Sequence, residues 1–265
     1  MLELDIDANG VATLALNRPE LMNALNGPLI QELLVTLERI KDAPEARVLL
    51  LTGRGRGFCA GADLRDPMMG VGLPADERGQ RFLASTDTGV HALSRALAGL
   101  DKPKVCAVNG AAVGGGASLA LLADIVVAGR SAYFQLPFTA QLGLVPDMGG
   151  SWQLMRRIGP ARAIASAMLG ERIPAEKAAE WGMIWQCVDD DALVATSQAI
   201  ALRLAQGAPR ALATLPGVMW SALENGLDAQ LDCERDAQAE LVQTDDFMEA
   251  VDAFRTKRKP QFNGR

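Results

Sequence analysis

Residues 105–128, VCAVNGAAVGGGASLALLADIVVA, leave few folds open to this chain. Val105–Val108 is a short apolar run with β-branched residues and predicts a buried strand. Asn109-Gly110 is a turn dipeptide. Gly114, Gly115 and Gly116 have no side chains to hold a ligand off the backbone. Ala117–Ala123 opens a helix directly out of those glycines, and Asp124 closes it before a second buried run, Ile125–Ala128. A strand, a glycine turn and a helix start present unpaired backbone N–H groups, so whatever docks there should be anionic or become anionic during reaction. Taken alone, the triplet reads equally well as a tight packing turn.

The rest of the chain repeats the pattern of strand, strand, helix. Leu2–Asp7 and Val11–Leu16 alternate around Asn9-Gly10 and predict a hairpin. Asn26 is placed to cap a helix whose buried face is Leu29, Leu33, Leu34, Leu37 and Ile40. Val48–Thr52 is the next buried strand, and Phe58–Leu64, FCAGADL, is a second strand end breaking into a glycine turn. Pro67, Gly70, Gly72, Pro74 and Gly79 predict a loop over 66–80, and Asp87–Leu100 a helix carrying His91. Ala132–Leu136 is a strand, 138–150 a long loop, and Ser151 the expected cap of a helix broken at Gly159-Pro160. From residue 191 onward every segment reads as helix, which divides the chain into a β/α core, 1–190, and a helical region, 191–265.

Composition narrows the function. The 49% hydrophobic content supports one sizeable core, and no apolar run is long enough to span a bilayer. A net charge of −6 with scattered basic residues argues against nucleic-acid binding. The four cysteines, widely spaced and without a C-x-x-C pair, read as reduced thiols of a cytoplasmic protein. One histidine and no clustered ligands make a catalytic metal improbable.

FCAGADL followed by AVNGAAVGGGASLALLADI resembles the crotonase (enoyl-CoA hydratase/isomerase) superfamily, from Leu16-Asn17-Arg18-Pro19 to Lys257-Arg258. The resemblance implies an α/β fold, a spiral of ββα units with a C-terminal helical subdomain. It implies a homotrimer or dimer of trimers and an acyl-CoA thioester substrate, with coenzyme A entering as part of that substrate and no further cofactor. By the same resemblance the N–H groups of Ala62 and Gly115 form an oxyanion hole for the thioester carbonyl. Ala24, Ala60, Leu64, Gly114, Phe138, His91, Phe254 and Lys257 are then placed at the substrate, the last two reaching coenzyme A from an adjacent subunit.

The proton-handling residues decide the reaction. Hydratases of this family use two glutamates; here the corresponding positions hold Ser118 and Phe138, neither a base at neutral pH. One carboxylate remains, Asp147 in GLVPDMGGSW. That string resembles the branch containing ring-1,2-epoxyphenylacetyl-CoA isomerases and Δ3,Δ2-enoyl-CoA isomerases, where a lone Asp shuttles the proton. Phe138, Leu142 and Leu144 are expected to surround it and raise its pKa. Asp147 also reads as a turn or capping residue before the Ser151 helix. Asp63 reads as a turn cap; Arg54 and Arg56 are candidates for coenzyme A phosphates. Three alternatives stand beside the isomerase: a hydratase, a dehalogenase-like enzyme with Asp147 as nucleophile and His91 activating water, and a non-catalytic acyl-CoA- or RNA-binding relative.

Overall fold

The computed structural model describes residues 1–265. It opens on the expected hairpin, with β1 (Leu2–Ile6) and β2 (Val11–Leu16) antiparallel and Leu4 opposite Leu14. Asp7 closes the turn by accepting the N–H groups of Asn9 and Val11 at 2.8 and 2.9 Å. In α1 (Gly27–Asp42), Asn26 caps the first turn through the Leu29 N–H, and Leu29, Ile30, Leu33, Leu37 and Ile40 are buried.

The strands that follow are divided between two sheets. They are β3 (Val48–Gly53), β4 (Gly57–Cys59), β5 (Lys104–Val108), β6 (Ala111–Val113), β7 (Ile125–Gly129), β8 (Tyr133–Gln135), β9 (Ile173–Pro174) and β10 (Gln186–Val188). One sheet has the order β1-β2-β3-β5-β7-β10 and the other β4-β6-β8-β9. From β3 to β8 each turn of the chain therefore gives one strand to each sheet and then a helical segment; β9 then adds antiparallel to β8, and β10 parallel to β7. Successive turns stack in parallel, with Val105 paired to both Leu50 and Ile125. The interturn helices are α2 (Ala75–Ser85), α3 (His91–Ala98), α4 (Gly115–Leu121), α5 (Gly150–Leu169) and α6 (Ala175–Glu180).

Leu14, Leu16, Leu33, Phe58, Leu119 and Phe134 belong to the main core. On a second face Val11, Val48, Leu50, Val105, Ala107 and Val127 pack against Leu193, Ala201 and Ala205 of α7 (Leu193–Ala205). The first helix after residue 190 thus covers the large sheet. Beyond it come α8 (Pro209–Ser221), α9 (Leu227–Leu241) and α10 (Asp245–Thr256). These carry exposed apolar side chains, among them Met219, Leu223, Leu227 and Met248. No helix is long and apolar enough to cross a membrane.

Four local expectations change. Within 66–80, Asp66 caps a single 3₁₀ turn, Pro67–Met69, and α2 then runs from Ala75 through Gly79 to Ser85. Gly79 faces open space, so it costs only its poor helix propensity, about 1 kcal/mol. A wide π-type turn, Thr86–Val90, joins α2 to α3, so the helix expected over 87–100 is regular only from His91. The loop expected over 138–150 begins with a second such turn, Phe138–Leu142. Gly149, at φ +77°, and not Ser151, caps α5. The break at Gly159-Pro160 is present, with Gly159 at φ 73° and ψ 167°.

Candidate active site

The first half of the site is built on Asn23. This residue is fully buried at φ +57°, a left-handed conformation that Asn tolerates better than most residues. Its Oδ1 accepts the Arg18 N–H at 2.8 Å. Its Nδ2 lies 3.0, 2.9 and 3.0 Å from the carbonyls of Arg54, Gly57 and Phe58, and its two N–H groups are shared among these three acceptors. The buried Arg18 donates through Nη1 to the Ala24 carbonyl at 2.6 Å and stands 3.8 Å from the Asp63 carboxylate. These bonds lay Leu25 beside Ala62 in a parallel bridge, with the Leu25 N–H on Gly61 O and the Asp63 N–H on Leu25 O. The Ala62 N–H lies between those two contacts, faces the other way, and donates to no group of the protein.

Sequence reasoning missed this hub because the carbonyls on which Asn23 Nδ2 acts lie more than thirty residues away. The Asn-Arg-Pro turn was its only local trace. Asn23→Ala removes the two donors that these carbonyls share and keeps a left-handed backbone. A loss of about 3 kcal/mol of stability is expected, read by urea unfolding.

Glycine makes the second half. Gly114 takes φ +54°, ψ −125°, and its N–H extends the smaller sheet to Gln135 O at 2.8 Å. A Cβ at Gly116 would stand 2.2 Å from the Cys59 carbonyl, so α4 can begin against the FCAGADL segment only without a side chain there. A Cβ at Gly61 would lie 3.2 Å from the Gly115 nitrogen. The two motifs are thereby in contact, and Gly115, as the first residue of α4, has an amide the helix leaves unpaired.

Asp147 meets this surface directly. Its Oδ1 is 3.8 Å from the position of a Gly115 Cβ, in company with Met148 Sδ and Leu25 Cδ1. Oδ1 is buried and accepts no hydrogen bond, and the side chain does not cap α5. Burial raises the carboxyl pKa to about 6; the nearby His91 charge and the residue's own N–H oppose the rise. Leu142 and Leu144, expected to surround it, are themselves 43% and 40% exposed, while Met148 and Leu25, which share with Oδ1 the space beside Gly115, are 1% exposed each. Phe138 is buried, its Cζ 3.6 Å from a Gly114 Cβ position. Ser118, fully buried, donates its hydroxyl to the Asp147 carbonyl at 2.9 Å.

The remaining candidates divide. Ala60 is half-buried and Ala24 buried on the Asn23 side, while Leu64 is 47% exposed beyond Asp63. Asp63 accepts the Arg65 N–H, the turn-capping role expected of it, and the Arg65 guanidinium holds its carboxyl below the usual range. Arg54 is paired with Glu3 at 2.7 Å, and Arg56 lies on Met22. Phe254 and Lys257 close α10, both exposed, Phe254 at 86%, and none of the contacts described here involves them. No group of three His, Cys, Asp or Glu side chains is placed to hold a metal ion.

Comparison with known proteins accounts for this arrangement. Residues 7–265 match the family described as enoyl-CoA hydratase/isomerase. The chain is 47% identical to the 1,2-epoxyphenylacetyl-CoA isomerase of Escherichia coli K12, over 97% of this chain and 96% of that protein. It is 36% identical to the 2,3-dehydroadipyl-CoA hydratase of the same organism, over 96% of each. A crystal structure of an enoyl-CoA hydratase from Bacillus anthracis superposes with a TM-score of 0.90 at 30% identity, covering 100% of this chain and 99% of that one. With its two glycine motifs in contact and a spiral of paired strands around them, the chain belongs to the enoyl-CoA hydratase/isomerase family of acyl-CoA enzymes.

Proposed function

We propose that this enzyme is an acyl-CoA isomerase in which one carboxylate moves the proton. The observation that carries this reading is the buried, unpartnered Asp147 Oδ1 beside Gly115, with Ser118 and Phe138 where a hydratase holds its acids. The Ala62 and Gly115 amides hold the thioester carbonyl. Asp147 takes a proton from the α carbon, leaving an enolate whose oxygen those two donors stabilise. The same carboxyl then returns the proton at the γ carbon, which moves the double bond. The substrate is an enoyl-CoA, or a ring-epoxide thioester of the kind named for the Escherichia coli isomerase. Coenzyme A is part of the substrate, and these steps call for no other cofactor.

The base must be ionised to begin the cycle. Its pKa of about 6 gives the sign: isomerisation falls as pH drops through that value and levels off above it. The acidic limb of kcat/KM against pH, which reports the free enzyme, is therefore expected to have its midpoint near pH 6. A rate still level down to pH 4, at the ordinary carboxylate value, would remove a buried base from the reaction.

The 191–265 region is proposed as the assembly surface of a trimer or a dimer of trimers. Exposed Met219, Leu223, Leu227, Leu231, Met248 and Phe254 are more apolar surface than a monomer ordinarily presents. Light scattering at micromolar concentration should give three or six times the 28.1 kDa chain mass; a monomer contradicts it.

A further inference from the structure

We infer that Ser118 is a positioning residue, its hydroxyl holding the Asp147 carbonyl so that the carboxylate stays against Gly115. The inference rests on the proposed role of Asp147. Within a helix, a serine or threonine hydroxyl ordinarily bonds the carbonyl four residues back. Thr36, Thr88, Ser94 and Thr214 all do so here. Ser118 does not: it reaches out of α4 to a carbonyl 29 residues further along.

The loop it reaches needs a tether. Gly143 and Gly149, both at positive φ, flank Asp147, and Met148 next to it is a buried non-glycine residue at φ +51°. The Asp147 carbonyl accepts from two donors, the Gly150 N–H at 2.8 Å, which belongs to its own turn, and the Ser118 hydroxyl at 2.9 Å, which comes from the glycine helix. Only the second ties the carboxylate-bearing loop to the element that carries Gly115. The packing is made for it: a Cβ at Gly150 would stand 2.5 Å from Ser118 Oγ, so the hydroxyl occupies that space because residue 150 has no side chain. His91 is the titratable group that faces Asp147 from α3, and changes at position 118 leave it in place.

The test compares Ser118→Ala with Asp147→Asn and the parent enzyme in 3-enoyl-CoA isomerisation. Ser118→Ala keeps the Gly150 bond, so the fold and KM should be retained. It should lower kcat about tenfold, the worth of roughly one buried hydrogen bond, and leave KM within about twofold. The acidic limb of kcat/KM should shift to lower pH, because a carboxylate freed from the clamp gains water. Parental kcat with a parental midpoint overturns the inference. So does a fall in Tm and in active fraction with the midpoint and KM unchanged, which is the mark of a purely structural serine. If Ser118→Ala is not recovered folded, Ser118→Cys, of nearly the same size and a weak donor, is read by the same two criteria. Parental activity in Asp147→Asn would overturn the proposed function itself. An inactive Asp147→Asn beside a parental Ser118→Ala would overturn only the role of the serine.

Discussion

Asp147→Asn is expected to slow isomerisation by about 10²–10⁴-fold, the usual worth of a positioned general acid–base. Asparagine matches the aspartate in shape and keeps a carbonyl oxygen, but it cannot accept a proton at the α carbon. The backbone bonds of residue 147, to the Ser118 hydroxyl and the Gly150 N–H, do not involve the side chain and should survive. Oδ1 has no hydrogen-bond partner to lose, and burial disfavours the charge that the substitution removes. The variant should therefore fold at least as stably as the parent and bind acyl-CoA with near-parental affinity. The loss then belongs to kcat. Full activity in a well-folded Asp147→Asn would exclude Asp147 from the proton transfer.

Ala62→Pro should cost about 2.7–4 kcal/mol of transition-state stabilisation, roughly 10²–10³-fold in kcat, through the loss of one oxyanion donor. Proline deletes the N–H and nothing else that bonds at this position: the Ala62 amide has no protein acceptor, while the bridge to Leu25 uses Gly61 O and the Asp63 N–H. Ala62 is exposed, so the ring has room. The change is checked by steady-state kinetics beside a circular dichroism spectrum. Undiminished turnover in a folded Ala62→Pro would mean that the thioester oxygen is held elsewhere.

What could be read in the sequence was local. The hairpin turn, the Asn26 cap and the strand-glycine-helix unit at 105–128 each depend on residues within a few positions of one another; the first two formed as read, and in the third the helix begins at Gly115 and an unread strand, Ala111–Val113, precedes the glycines. The glycine motifs were legible because only Gly116 fits against the Cys59 carbonyl. The helix α2 was hidden because it has no buried residue and so no apolar stripe, and its glycine faces solvent. Asn23 and Ser118 were hidden for another reason. Asn23 acts on carbonyls 31 to 35 positions away and Ser118 on one 29 positions away, and no periodicity records such a pairing. The surroundings of Asp147 reach beyond its chain neighbours for the same cause. Leu142 and Leu144 are near it in the chain, and Leu25, brought in by the Ala62 bridge, shares with it the space beside Gly115.

The division between isomerase and hydratase turns on one comparison. The unmodified enzyme is given a 3-enoyl-CoA and, separately, a 2-enoyl-CoA, and both double-bond migration and 3-hydroxyacyl-CoA formation are followed. One carboxylate beside Gly115 predicts rapid conversion of the 3-enoyl to the 2-enoyl thioester, with water addition slower by orders of magnitude. Hydration of the 2-enoyl-CoA at a rate matching or exceeding isomerisation, and persisting in Asp147→Asn, would show that another residue activates water and would contradict the account.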